Sequence, residues 1–259
     1  MNCKLKNTGF SLTEVLMSVG ILAVGMIFIA GVFPVSIYFT TTAAERTEAA
    51  VIADEAFAKI RLYGVDPIWL STALPTSSVD FNDVSLLNLD EFAYPSTNTN
   101  PNPAQKQYYW SALCRRVDPN TSLVQVTVFI SRKMGAGAEY WGRQGLSGWP
   151  NLESRSFPRP VPVNVIPASA NQLQIIDAVP APGDSIDEKT FINDGYTIVD
   201  NATGQIYRVL ERDADYPDTI VLDRPWEGAL AGGWVWVVPP PINGGRYPCI
   251  GVFQKVIKF

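Results

Sequence analysis

A stretch of 30 residues, Val15 to Ala44, carries no charged side chain, and this constrains the chain more than any other feature. Glu14 stands at its front and is the one charge between Lys6 and Glu45. About 20 apolar residues at ~1.5 Å each cross the ~30 Å hydrocarbon core of a bilayer. The run is therefore long enough to span a membrane, with residues from about 15 to 39 inside it. Lys4 and Lys6 precede the run and no acid does, so the positive-inside rule keeps the N-terminus cytoplasmic and sends the remainder across. A carboxylate in hydrocarbon is costly unless it finds a partner. That cost makes Glu14 a functional candidate.

Three readings of this segment compete. A cleaved secretory signal peptide fits the basic start but has an apolar core of only about 7–15 residues. A plain membrane anchor accounts for length and orientation but leaves Glu14 and the Gly9-Phe10 junction unexplained. The third rests on the string Gly9-Phe10-Ser11-Leu12-Thr13-Glu14-Val15-Leu16, which resembles the class III signal of type IV pilins and type II secretion pseudopilins. That family has a short basic leader ending in Gly, then a Phe or Met, with Glu fifth in the mature chain and a hydrophobic helix after it. The resemblance covers about 50 residues. It implies cleavage between Gly9 and Phe10 by a prepilin peptidase, N-methylation of Phe10, and pairing of Glu14 with the amino terminus of a neighbouring subunit. A buried carboxylate beside an ammonium is far less costly than one alone. The implied partners are other pilin or pseudopilin subunits, an inner-membrane assembly platform and the lipid bilayer. The implied location is the bacterial inner membrane, single-pass, with the globular region periplasmic.

The helix is expected to continue past the apolar run. Residues 43–63 are rich in helix formers, and Ala49, Ile52, Ala53, Ala56, Phe57 and Ile60 recur at three- and four-residue spacing as an amphipathic stripe. Gly64 is the natural stop. The helix would run from about Leu12 to Tyr63, with Pro34 expected to kink it because proline removes one ladder bond and clashes with the preceding turn. Gly20, Gly25 and Gly31 are small residues that permit close helix approach.

Residues 65–107 read mostly as loop. Tyr108–Val117 and Leu123–Ser131 read as two strands joined across Asp118-Pro119-Asn120-Thr121. A helix followed by an antiparallel sheet that packs on it is the globular plan of the resembled family. The Tyr108-x-Trp110 strand followed by a Val-x-Val strand resembles its minor pseudopilins. Residues 132–162 read as an irregular connection in which Trp141 and Trp149 are packing anchors. From about Val163 the pattern is short strands between turns: 173–176, 196–200 against 205–210, 219–222 and 234–238, suggesting a small barrel or sandwich. Residues 250–257 are suited to a strand that closes the sheet.

The expected organisation is thus α+β. A leader (1–9) precedes the long helix (10–64), which packs on an antiparallel sheet in a domain spanning 65–162. An additional β-rich module follows at 163–259.

With 47% hydrophobic and 17% charged residues, the 259-residue chain is large enough for a substantial core. Losing residues 1–9 would leave 18 basic against 25 acidic residues, near −7. This balance, with no dense basic patch, argues against nucleic-acid binding. There is no histidine, which excludes a His-based triad and histidine metal sites. No Cys-x-x-Cys or Gly-Lys-Ser/Thr occurs. Neither an enzyme nor a cofactor is expected. The acids Asp184, Asp187, Glu188, Asp194 and Asp200 lack the spacing of a helix-loop-helix calcium site and read as turn acids, with no metal ligand among them. Cys114 and Cys249 survive leader removal in a compartment that permits disulfides; they form one bridge or two separate buried thiols.

The expected function is that of a structural subunit, a minor pseudopilin or minor pilin of a secretion or pilus-like filament. The alternative is an adhesive or binding module presented by the filament, with its ligand site in the C-terminal β-region.

Overall fold

The computed structural model describes residues 11–66, 77–85, 87, 89–95, 106–118, 122–135, 137–143, 152–176 and 187–259. The chain falls into two compact units, Met1–Thr47 and Glu48–Phe259. One helix, α1 (Leu12–Tyr63), runs through both.

In the first unit α1 is the described structure, and it is the one helix among the described residues long and apolar enough to cross a membrane. Its large apolar side chains from Leu12 to Phe39 are all exposed. Pro34 lies inside this helix, which continues on either side of it. Thr40 and Thr41 donate their hydroxyls back to the carbonyls of Ser36 and Ile37, both at 2.8 Å.

In the second unit the helix changes character. Ala49, Ile52, Ala53, Ala56, Phe57 and Ile60 are all buried, at 3% exposure or less. These are the residues of the expected stripe. The opposite face is polar, and Lys59 bonds Glu55 one turn back (3.2 Å) and Glu91 (3.0 Å). The helix stops at Gly64, whose φ of +74° lets its N–H close on the Ile60 carbonyl at 3.0 Å. A residue with a Cβ is strained in that conformation.

The stripe packs on a five-stranded antiparallel sheet. Its strands are β1 (Val79–Asp80), β2 (Ala93–Tyr94), β3 (Tyr108–Arg116), β4 (Leu123–Arg132) and the last strand of the chain. β1 and β2 both pair β3, and β3 pairs β4 from Tyr108↔Arg132 to Arg116↔Val124. Alternation places Trp110, Ala112, Cys114, Val124, Val126, Val128 and Ile130 on the helix face. The stretch expected to be loop contributes core: Phe81, Val84, Leu87 and Phe92 are buried against the same face. Trp110 donates its indole N–H to the Glu91 carbonyl at 2.9 Å.

The connection expected to be irregular contains a two-stranded antiparallel hairpin, β5 (Tyr140–Arg143) with β6 (Leu152–Arg155). Trp141 packs against the next core, and Trp149 lies outside the described residues. Arg159, buried at 4% exposure, lies over the rings of Phe92 and Phe157 and 3.5 Å from Asp80.

Six further strands close into a barrel: β7 (Val161–Ser169), β8 (Gln172–Ile176), β9 (Thr197–Asp200), β10 (Ile206–Arg212), β11 (Thr219–Leu222) and β12 (Gly233–Val237). Around the barrel the order is β7-β8-β11-β10-β9-β12, with antiparallel neighbours throughout. Its interior is filled by aliphatic residues with Tyr207, Phe191 and Trp226.

The final strand, β13 (Cys249–Lys258), does not join the barrel. It pairs β4 from Cys249↔Ser131 to Lys258↔Leu123. The expected module of 163–259 is therefore narrower. The barrel occupies Val161 to Val237 as an insertion within the sheet, and the last ten-residue strand belongs to the sheet. The physical reason is pattern. Ile257 and Phe253 alternate toward the helix face, where they meet the core that α1 covers.

Candidate functional site

The sequence points to the start of α1. Gly9 and Phe10 lie outside the described residues. Ser11 is the residue before the helix, and Glu14 lies in its first turn. The Ser11 carbonyl accepts from the N–H groups of Glu14 (3.0 Å) and Val15 (3.2 Å). The spacing Ser11-x-x-Glu14 matches a capping box, a signal of helix start, and a carboxylate in the first turn is favoured by the helix dipole. Ser11 and Thr13 hydroxyls are 2.6 Å apart, and the Ser18 hydroxyl donates to the Glu14 carbonyl at 2.8 Å. Glu14 is exposed. Locally it belongs to a well-formed helix start, and its carboxylate is open to an outside partner.

Pro34 lies 20 residues further along the same helix, between five and six turns away. It is separate from the Glu14 turn.

Cys114 and Cys249 are not bonded to each other; both are free and buried. The reason is topology. Cys114 belongs to the helix-covered core, and Cys249 to the cluster on the other face of the sheet. Along β4 their register partners, Val126 and Ser131, are five residues apart, or about 16 Å at ~3.3 Å per residue. A bridge needs Cα atoms within about 7 Å. Burial pushes the Cys249 thiol up to about 12 and raises Cys114 further, with Asp80 adding to the latter.

The acids of the barrel loops serve its turns. Asp187 caps the short 3-10 turn Glu188–Phe191 by accepting from the Lys189 N–H at 3.1 Å. Asp194 accepts from Arg212 N–H (2.7 Å), and Asp213 from Asp215 N–H (2.9 Å). Asp218 pairs with the Lys189 ammonium at 2.8 Å. Asp200 is buried and accepts from the Ala202 and Thr203 N–H groups and the Thr203 hydroxyl. Asp184 lies outside the described residues.

One constellation was not anticipated: the joint between sheet and barrel. The β9–β10 turn, Asn201 to Gly204, is bound on several sides. Ser78 N–H donates to the Asn201 carbonyl (2.9 Å), and the Trp236 indole donates to Asn201 Oδ1 (2.9 Å). Arg115 Nη1 donates to Ala202 O (3.2 Å) and Gln254 Nε2 to Gly204 O (2.8 Å). Gly204 has φ +70°, and a Cβ there would meet Gln125 Oε1 at 2.7 Å. Leu113, Phe129, Val199, Trp236, Val238 and Cys249 form the apolar layer beneath. The turn itself was legible as Asn-Ala-Thr-Gly, but no local signal says what it touches.

No protein-family model, curated protein or solved structure matches this chain.

Proposed function

We propose that this chain is a minor pseudopilin or minor pilin, a structural subunit of a type II secretion or type IV pilus-like filament. A prepilin peptidase cuts between Gly9 and Phe10, and Phe10 becomes the N-methylated terminus. The front of α1 lies in the inner membrane, single-pass with its start in the cytoplasm, and then in the filament core. Glu14 pairs there with the amino terminus of a neighbour, which relieves the cost of a carboxylate in apolar surroundings.

The observation that carries this reading is the two-part character of one helix. Behind the Gly9-Phe10 junction and Glu14, its front exposes every large apolar side chain while its rear stripe is buried under a sheet. An exposed apolar helix on a folded domain calls for a lipid or protein environment. The insertion of a whole barrel into the sheet supports a minor subunit, because a bulky subunit packs poorly in many copies.

The test is the mass of the N-terminal peptide of membrane-expressed protein. Cleavage after Gly9 with one methyl group on Phe10 is expected. Gly9→Val should leave the full-length precursor, and Glu14→Ala should be cleaved yet fail to enter filaments. A Gly9→Val product of normal mature length would overturn the reading.

A further inference from the structure

β13 stands at the end of the sheet order β1-β3-β4-β13, so one of its sides pairs β4 and the other meets no strand among the described residues. The register fixes which backbone groups point outward. The Phe259 N–H donates to the Ser122 carbonyl at 3.1 Å, and antiparallel pairs alternate between bonded and non-bonded. Gly251, Phe253, Lys255 and Ile257 therefore bond β4, while Val252, Gln254, Val256 and Lys258 turn their N–H and C=O groups away from it. Four donors and four acceptors thus line an open edge roughly 20 Å long at ~3.4 Å per residue. Gln254, Lys255, Val256 and Lys258 along it are exposed.

An unpaired edge is a template for another chain, and native proteins guard such edges with prolines, bulges or charges. Here the guard is thin. β13 has no proline, and its bulge lies at its start, between Cys249 and Gly251. Lys255 is committed to α1: its ammonium lies over the Phe57 ring (4.6 Å) and 2.8 Å from Asp54. Lys258 remains, and it lines a groove of about 300 Å³ together with Arg61, Val256, Ile257 and Phe259. Arg61 and Lys258 are both exposed, and α1 has no acid three or four residues from Arg61 to offset its charge. The three long strands β3, β4 and β13 hold five basic residues and no acid. In a chain of net charge −5, the positive end of this edge runs against the overall balance.

We propose that the open edge of β13 binds an extended, acidic segment of another protein, which adds to the sheet as an antiparallel strand. Outward N–H and C=O groups at two-residue spacing are matched by a second extended backbone, and neither a lipid nor a sugar reproduces that pattern. Every neighbour in this sheet is antiparallel, and an added antiparallel strand exchanges up to eight bonds with the four outward residues. Charge selects the segment. Arg61 and Lys258 at one end of the edge suit carboxylates and are too few to hold a polyphosphate backbone. In an antiparallel strand the residues opposite Lys258 are the N-terminal ones, so the acids stand at the start of the segment, with the groove beside Arg61 to receive them. The proposal does not rest on the filament reading, because every group named belongs to the second unit, Glu48–Phe259.

The test is fluorescence anisotropy on the full-length chain in detergent. The probe is a labelled peptide of alternating Thr and Val, about eight residues long, that begins with two Glu. Saturable binding is expected. The same peptide N-methylated at every residue should bind at least about tenfold more weakly, since it has no donor for the edge. Replacing its two Glu by Lys should weaken binding about tenfold, and the double variant Arg61→Glu, Lys258→Glu should reverse that preference. Val256→Pro should also lower binding at least about tenfold, because it removes an outward N–H that β4 does not use. Near-ultraviolet circular dichroism checks its fold; if it misfolds, the N-methylated peptide on the unaltered chain decides. Equal binding of the N-methylated peptide, an unchanged preference in the reversed variant, or no binding by the folded chain at about 1 mM peptide overturns the proposal. A particle mass already doubled before peptide is added identifies a second copy as the occupant and overturns it too. None of these outcomes bears on processing at Gly9-Phe10, which the mass of the N-terminal peptide decides separately.

Discussion

The five-stranded sheet and the six-stranded barrel bury similar aliphatic side chains, yet they complete their cores differently. The sheet is open, and each face needs a cover: the rear of α1 on one side, the barrel wall on the other. The barrel closes on itself and fills its own interior. An open sheet presents two apolar faces and unpaired edges, whereas closure removes both demands at once. The sheet therefore depends on residues distant in sequence, from Ala49 on the helix to Ile257 on the last strand, while the barrel's core comes from one stretch of the chain.

That contrast can be broken at the helix with the largest effect. Ile52→Asp places an unpaired carboxylate at a fully buried site, at a cost above about 4 kcal/mol. Hydrogen exchange should show the amides of β3, β4 and β13 losing protection while those of β7 to β12 keep theirs. Simultaneous loss in both layers would mean that they form one cooperative unit. Next is the joint. Phe129→Ala empties a fully buried site between the layers and should cost about 3–5 kcal/mol, read by urea denaturation, with an intermediate appearing if the layers come apart. Gly204→Val acts on the polar side of the same joint. Its positive φ and the 2.7 Å approach to Gln125 Oε1 predict a loss of about 1–3 kcal/mol, with the hairpin's own exchange protection largely kept.

The smallest effect at neutral pH concerns the thiols. Cys114 and Cys249 are free, so a reducing agent should not move the thermal midpoint; a bridge would contribute about 2–4 kcal/mol. Alkali should reveal them instead. Burial raises both from an ordinary 9.0, Cys249 to about 12. Above pH 9 the unfolded chain releases protons that the folded chain keeps. Stability is therefore full below that pH and falls as pH rises through the window. Cys114→Ala should weaken this slope through the sheet, and Cys249→Ala through the joint.

Local patterns carried much of the fold. The stripe from Ala49 to Ile60 was legible because helical period and burial coincide. The β3–β4 hairpin and most barrel strands were legible because alternation and turn residues bracket them. The core contribution of Phe81, Val84, Leu87 and Phe92 was not, since short segments wrapped over a face have no period to detect. The β5–β6 hairpin was hidden in a stretch rich in Gly, Pro and Trp.

By itself the amino-acid sequence determined the two-part helix, its stop at Gly64, the approximate positions of the later strands other than β7, and the absence of histidine chemistry. Those properties depend on neighbours along the chain. Only the tertiary structure decided that β13 returns to β4, that the barrel is an insertion closed by β9 and β12, and that Cys114 and Cys249 face opposite sides of one sheet. Strand pairing joins residues more than a hundred positions apart, and its energy comes from hydrogen bonds and packing that exist only once the partners meet.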